Sequence, residues 1–356
     1  MGTGGFAVPS FEEVRSDPRT EIHAVVTKPV SNSPNKQDAN PVLAWAERHS
    51  LPIITPSSIN SEESLGWLQQ ESADLFFVCD YGQILSRAAL ATSRLGGINL
   101  HGSLLPRHRG AAPVQWSILR GDSVTGVSVI HMTPKLDGGP ILSQSRTEVG
   151  AHQTADNLER VLSLSGVACT MEALDAIFKA PDSTKGTSTG FTQDASLVTP
   201  APRLAKSDGQ IDCRYDVTLI DRQIRGLQPW PGVFGTMIDD QRRSTRVIIG
   251  SAIPIRVPVE STSENEDSLG RFLWDERAVN AIGAQRWALM EVDGVRSSQL
   301  LLLECKNGFL RIDKIQPAGK RMLTSGEFLA GYRKNKILHI AMPTPTPYHP
   351  LLEKLV

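Results

Sequence analysis

Three polar residues in the first half of the chain have the types and spacing of an acyl-transfer site. In "GGINLHGSLLPRHRG", residues 96–110, an apolar strand pattern set by Ile98 and Leu100 runs into Asn99 and His101, then into a Gly/Ser/Pro loop. Side chains at i and i+2 of a strand share one face, so Asn99 and His101 point together at the end of a buried strand. An amide N–H and an imidazolium can both donate to an oxyanion. The third residue is Asp137, in the "TPKLDGG" loop after the apolar "GVSVIHM". A carboxylate beside a histidine favours the charged ring, and it can accept a proton directly or through water. Singly, each has an ordinary structural reading. A strand-end histidine often serves as hydrogen-bonded scaffolding, and Asp before glycines is a common turn residue. What sets them apart is company: loops 80–85, 102–109 and 133–139 each follow a strand-like run. In open α/β sheets ligands bind outside the carboxyl ends of strands. The chemistry expected is acyl-type transfer without a covalent intermediate.

The elements that must position these residues are readable from pattern. Strands are expected at 22–27, 53–54, 75–79, 97–101, 126–132 and 140–148, and helices at 40–49, 61–71, 111–120 and 154–178. Asn40 and Ser61 are N-caps. Strands alternating with helices predict a doubly wound, mostly parallel α/β sheet. From about residue 180 the chain turns rich in Ser, Thr, Gly and Pro, which reads as a linker. A helix at 216–227 follows, then short strands at 233–238, 246–253, 287–292, 300–304 and 309–315, the pattern of a small β-barrel or sandwich. Residues 259–269 are acidic and Ser-rich, a solvated insertion. The expected layout is a catalytic domain at 1–180, a linker at 181–205, a second domain at 206–330 and a tail at 331–356.

With 356 residues, 40% of them hydrophobic, the chain can support two cores. A net charge of −1 gives no overall attraction to nucleic acid or to an anionic membrane, so any such role rests on local patches. Cys79, Cys169, Cys213 and Cys305 are scattered, without metal or disulfide spacing, which suits a reducing compartment. No run of 18 apolar residues marks a membrane span. Gly2, Gly4, Gly5 and Ala7 match a dinucleotide-binding spacing, but only Met1 precedes them. The strand at 22–27 ends in Thr27 and Lys28 instead of the acidic residue that binding mode uses. The reading kept is a glycine turn feeding a helix, and a nicotinamide oxidoreductase is set aside.

"INLHGSLLPRHRGAAP" followed by "GVSVIHMTPKLDGGPIL" resembles the folate-dependent formyltransferases. That family acts on methionyl-tRNA, on glycinamide ribonucleotide and on amino sugars, and includes a formyl-folate hydrolase. "RGAAPVQWSIL", "DYGQIL", "APRLAKSDGQID", "QIRGLQPWPGVFGTM" and "IQPAGKRMLTSGEFLAGYR" resemble the branch acting on methionyl-tRNA. The resemblance implies a Rossmann-like catalytic domain and an OB-like β-barrel that holds tRNA. It implies Asn99, His101 and Asp137 as the catalytic trio. It also implies 10-formyltetrahydrofolate as formyl donor, with no metal, in a pocket made by Ser103, Leu104, Leu105 and Pro106 with Asp80, Tyr81, Gly82, Gln83, Ile84 and Leu85. The partner implied is initiator methionyl-tRNA, met in the cytoplasm by a monomer. The alternatives are an amino-sugar N-formyltransferase, a glycinamide ribonucleotide formyltransferase, or an RNA-binding protein without catalysis.

Residues 305–336 hold eight Lys/Arg and two Asp/Glu, enough to track phosphates. Expected phosphate contacts are Lys36, Arg109, Lys206, Arg242, Arg243, Lys314, Lys320 and Arg321, against the plainer reading of a solvated face. Trp230, between two prolines, is expected to be packed in an interdomain contact rather than stacked on a base. Two departures from the family pattern stand out. The loop "KPVSNSPNKQDANPV" has only Lys28 and Lys36 as cations where relatives carry a longer Gly/Arg-rich loop. The family also places a strand immediately before the glycine turn, which leads to the expectation that an upstream-extended form is more soluble and more stable. An earlier start would also carry any organelle-targeting segment.

Overall fold

The glycine turn at the N-terminus lets two backbones meet. A Cβ on Gly2 would lie 2.7 Å from the Cys79 carbonyl oxygen, and one on Gly4 would lie 1.7 Å from the Asp80 carboxylate. The computed structural model describes residues 1–29, 40–180, 189–256, 268–282, 300–332, 338–343 and 351. The chain forms two units, residues 1–117 with 122–203, and 118–121 with 204–356. Lys36, most of the 259–269 insertion and the strand expected at 287–292 lie outside the described residues.

In the first unit the strands are β1 (Val25–Val26), β2 (Ile53–Ile54), β3 (Phe76–Val78), β4 (Gly97–His101), β5 (Arg109–Gly110), β6 (Val124–His131) and β7 (Ile141–Glu148). Between them run α1 (Val8–Ser16), α2 (Pro41–Arg48), α3 (Glu62–Glu71), α4 (Arg87–Leu90) and α5 (Pro113–Arg120), with α6 (Ala155–Lys179) after β7. The caps act as expected: the Asn40 and Ser61 side chains accept from Leu43 N–H and Ser64 N–H. β1 and β2 pair parallel, as do β3 and β4, while β6 runs antiparallel to both β4 and β7. The α/β fold is the one expected, with one strand, β6, reversed between β4 and β7.

That reversal moves one loop. His131 pairs with Ile98, and Met132 N–H donates to the Gly97 carbonyl at 2.7 Å. Loop 132–140 therefore leaves beside the start of β4, not beside its carboxyl end as the strand-end argument supposed. It reaches His101 by folding back along the strand, about 13 Å at 3.3 Å per residue.

Helix α6 is long and apolar enough to cross a membrane. Its Leu158, Leu162, Ala173, Leu174 and Ile177 are instead buried, against β6, β7 and α1. Between β1 and β3 runs the rung Met1–Gly2: Gly2 N–H donates to Val26 O and Cys79 N–H to Met1 O, both at 3.0 Å. Beyond that rung lies a cavity of about 440 Å³ lined by Ile22, Val25, Trp45, Phe76, Phe77 and Phe178, with neither His101 nor Asp137 on its walls.

Of the described part of the expected linker, 189–205, residues 189–203 cluster with the first unit. Phe191 exchanges both backbone hydrogen bonds with Ile141, each 2.8 Å, and β8 (Pro200–Ala201) pairs parallel with β5.

The second unit opens with α7 (Val217–Gly226). It continues through β9 (Val233–Asp239), β10 (Ser244–Arg256), β11 (Phe272–Trp274), α8 (Asp275–Ile282), β12 (Leu301–Cys305), β13 (Gly308–Pro317), β14 (Leu323–Thr324), α9 (Ser325–Tyr332) and β15 (Leu338–Ala341). The antiparallel order is β11-β12-β13-β10-β9-β15. Ile340 N–H donates to Gly270 O at 2.8 Å and Arg271 bridges His339, so the sheet's two edges meet in a nearly closed, OB-like barrel. The expected tail thus supplies a strand: Leu338 and Ile340 are buried on its inner face, where alternation sends every second side chain. Trp230, expected to be packed, is 52% exposed.

Candidate active site

β4 lies between β3 and β6, so both of its edges are paired and its backbone is fixed in place. Asn99 is half-buried and its amide has no hydrogen-bond partner among the described residues, while His101 is buried. The loop after β4 is pinned from below. Ser128, opposite His101, donates to Ser103 O at 2.7 Å and accepts from Leu105 N–H at 3.0 Å. Gln144 donates to Ser128 Oγ and to Leu105 O at 2.8 and 2.9 Å.

The loop ends at His108, held at φ +59°. Its ring nitrogen Nε2 lies 2.6 Å from an Asp122 oxygen, and its N–H donates to Thr199 Oγ1 at 2.9 Å. So anchored, the His108 carbonyl meets His101 Nε2 at 2.9 Å. A carbonyl can only accept, so Nε2 carries a proton. The other nitrogen, Nδ1, faces Asp137 Oδ2 at 3.9 Å. That is ion-pair range but too long for a direct hydrogen bond, which leaves a place for a third polar atom between them. With Nε2 committed, only the charged ring can donate from Nδ1.

Asp137 is held at φ +47°, a backbone region that Asp tolerates better than most residues. Its Oδ2 accepts from Gly110 N–H at 2.9 Å. Thus the structure brings His101 and Asp137 together, with Asn99 one strand repeat away on the same face as His101.

The other expected pocket residues divide. Tyr81 and Leu85 are core residues, packed with Phe76 and Val78. Burial pushes the Tyr81 phenol up to about 12. Leu105 packs on Ile130 and Ile141. Ser103 is buried and donates to Arg107 O at 2.6 Å, while Gln83 ties Ile59 N–H and Pro56 O. Asp80, Gly82 and Ile84 are exposed on their loop, Ile84 by 69%, and Leu104 and Pro106 are half-buried. The former group is held in packing and hydrogen bonds within the fold; the latter is open to the surface.

Of the expected phosphate contacts, Arg109 sits in the first unit with its guanidinium on Gln193. Lys206 lies in a short turn, 206–209. Arg242 and Arg243 lie in the β9–β10 turn, and Lys320 and Arg321 follow β13. Val247 pairs with Pro317, and Ala318 N–H donates to Arg246 O, so the two turns share one end of the barrel. Lys314 stands further along β13. Asp239 and Glu327 pair with Arg243 and Arg321 and offset part of that charge.

Sequence reading missed His108, Asp122, Ser128, Gln144, Gln193 and Thr199. The first lies inside a quoted motif. The last two hide in a stretch whose composition signals only a linker.

Residues 1–174 match the formyl transferase family, and residues 203–333 match the formyl transferase C-terminal domain. The chain belongs to the formyl transferase family. It is 40% identical over 339 residues to the methionyl-tRNA formyltransferase of Rhodopirellula baltica, covering 94% of this chain and 93% of that one. It is 32% identical over 335 residues to the methionyl-tRNA formyltransferase of Citrifermentans bemidjiense, covering 94% and 92%. Among solved structures it is similar to the N-formyltransferase from Helicobacter canadensis in complex with folinic acid and dTDP-3-aminofucose, with a TM-score of 0.55 at 15% identity, covering 90% of this chain and 97% of that one. HypX from Aquifex aeolicus in complex with tetrahydrofolic acid gives a TM-score of 0.52 at 12% identity, over 87% of this chain and 47% of that one. These two likenesses speak for the fold.

Proposed function

We propose that this chain transfers the formyl group of 10-formyltetrahydrofolate to the α-amino group of initiator methionyl-tRNA. The observation that carries this reading is the Asp137 carboxylate 3.9 Å from the His101 ring, beside the Asn99 amide, in a chain similar to methionyl-tRNA formyltransferases through both domains. That role belongs to translation initiation, in the cytoplasm.

The α-amino group of the acceptor titrates near pH 8 in free form, so a neutral fraction of roughly a tenth is present at pH 7. Its nitrogen attacks the formyl carbon, and the carbonyl electron pair moves to oxygen. The Asn99 amide and His101 Nδ1–H donate to that oxygen. Asp137 holds the ring's charge and takes the ammonium proton, through water. The tetrahedral carbon then releases the folate nitrogen, which gains a proton, leaving formyl-methionyl-tRNA and tetrahydrofolate. Removal of one oxyanion donor costs about 10²–10³ in rate. Ile84 and the half-buried Leu104 and Pro106 offer apolar surface to the flat pterin ring, and the basic barrel end offers cations to tRNA phosphates.

The test presents labelled 10-formyltetrahydrofolate with either methionyl-tRNA or a nucleotide-linked amino sugar. Label in the formyl-methionyl ester alone is the expected result. Label in the sugar alone would replace this reading with the amino-sugar one.

A further inference from the structure

Gln193 lies far from the catalytic trio in sequence and belongs to no motif quoted above, yet it is buried at 9% exposure beside it. Its amide nitrogen donates to two carbonyls of the catalytic turn, Asp137 O at 2.8 Å and Gly139 O at 2.7 Å. Its amide oxygen accepts from Arg109 Nε at 3.1 Å and Nη2 at 2.5 Å. The partners fix the amide's orientation, because carbonyls require the N–H2 end and a guanidinium requires the oxygen. The neighbour of Arg109 is Gly110, whose N–H holds Asp137 Oδ2 at 2.9 Å. One side chain therefore ties the segment that carries Asp137 to the segment that grips its carboxylate. On either side the strap is paired to the same two places, through Phe191 to Ile141 and through β8 to β5.

We propose that Gln193 is a positioning residue that sets the Asp137 carboxylate against His101, and so a determinant of the chemical step rather than part of a passive linker. The proposal rests on the formyl-transfer reading above. A buried carbonyl, a half-buried one and a guanidinium lose their partner together when this amide is removed, and unpaired polar groups out of water reorganise. The turn at residue 137, already in a left-handed conformation, is then free to swing its carboxylate off the ring.

The test uses the full chain with Gln193→Met, which keeps length and apolar bulk, and Gln193→Glu, which keeps an acceptor for Arg109 but loses both donors. Both are expected to lower kcat by about 10- to 100-fold with KM for folate and for tRNA changed less than threefold. The two variants together separate the donor side of the amide from its acceptor side. The decisive arm is the cycle with Asp137→Asn. If Gln193 acts through Asp137, adding Gln193→Met to Asp137→Asn lowers kcat by less than threefold further, since coupled residues are not additive. Full multiplication of the two losses, or unchanged kcat in Gln193→Met and Gln193→Glu, overturns the proposal. Wild-type activity in Asp137→Asn itself would instead overturn the formyl-transfer assignment of the site.

Discussion

In a chain that begins at Met1, the α-amino group sits inside the sheet, where it donates to the Phe77 carbonyl at 2.7 Å. Burial drags its pKa from 8.0 to about 5, against a small opposing pull from Cys79. Between those values the unfolded chain binds a proton there and the folded chain does not, so stability rises with pH across that window. At about 1.36 kcal/mol per unit, the three-unit difference costs about 4 kcal/mol below pH 5, between about 1 and 2 kcal/mol at pH 7 and almost nothing above pH 9. For a unit of this size each kcal/mol moves Tm by about 2–4 °C. Acetylation removes the charge and keeps the N–H, with the neighbouring cavity of about 440 Å³ open to the acetyl methyl. Scanning calorimetry of acetylated and free-amine forms should give equal Tm at pH 9, a gap of roughly 3–6 °C at pH 7 and roughly 7–15 °C at pH 5. Other titrating groups are common to both forms and cancel in the difference. An apolar four-residue extension upstream of Met1 should abolish the same pH dependence and add about 1.5–3 kcal/mol for each side chain it buries in the groove. Parallel Tm curves for the free, acetylated and extended proteins would refute the reasoning.

Two further outcomes follow from where side chains lie. Leu105→Ala should cost about 2–5 kcal/mol in denaturant unfolding while leaving folate affinity in the folded protein within twofold, because Leu105 packs on Ile130 and Ile141; a large loss of affinity at unchanged stability would make it a ligand contact instead. Replacing Arg242 and Lys320 together by Ala should weaken tRNA binding and flatten its log–log salt slope by about 2, one for each cation taken from a phosphate; an unchanged slope would move the tRNA off that end of the barrel.

Much of the first unit was legible because its signals are local. Asn40 and Ser61 cap their helices through short side-chain bonds, and the "GINLH" strand forms at 97–101 as its alternation implies. The proposed trio could be picked from residue type and spacing because donors to an oxyanion come from a short menu, and the structure puts two of its members, His101 and Asp137, 3.9 Å apart. Strand direction was not legible. A run such as "GVSVIHM" reads alike in either sense, and only the pairing of His131 with Ile98 shows that the Asp137 loop starts at the far end of β4. Side-chain commitment was equally hidden, since a motif places Tyr81 and Leu85 in the folate loop but does not show that they point into the core. Residues 338–341 were masked by the prolines that follow them, although Leu338 and Ile340 carry the alternation of a strand. The positioning contacts of Thr199 and Gln193 depend on a strap returning from across the fold, which composition cannot report.

The most direct measurement is the single-turnover rate of formyl transfer to methionyl-tRNA, made on the wild-type chain and on His101→Ala with both substrates saturating. A fall of at least about 10²-fold, with folate and tRNA affinities held, is the expected result. Transfer by His101→Ala at the wild-type rate would contradict it and leave the ring, the amide and the carboxylate as scaffolding.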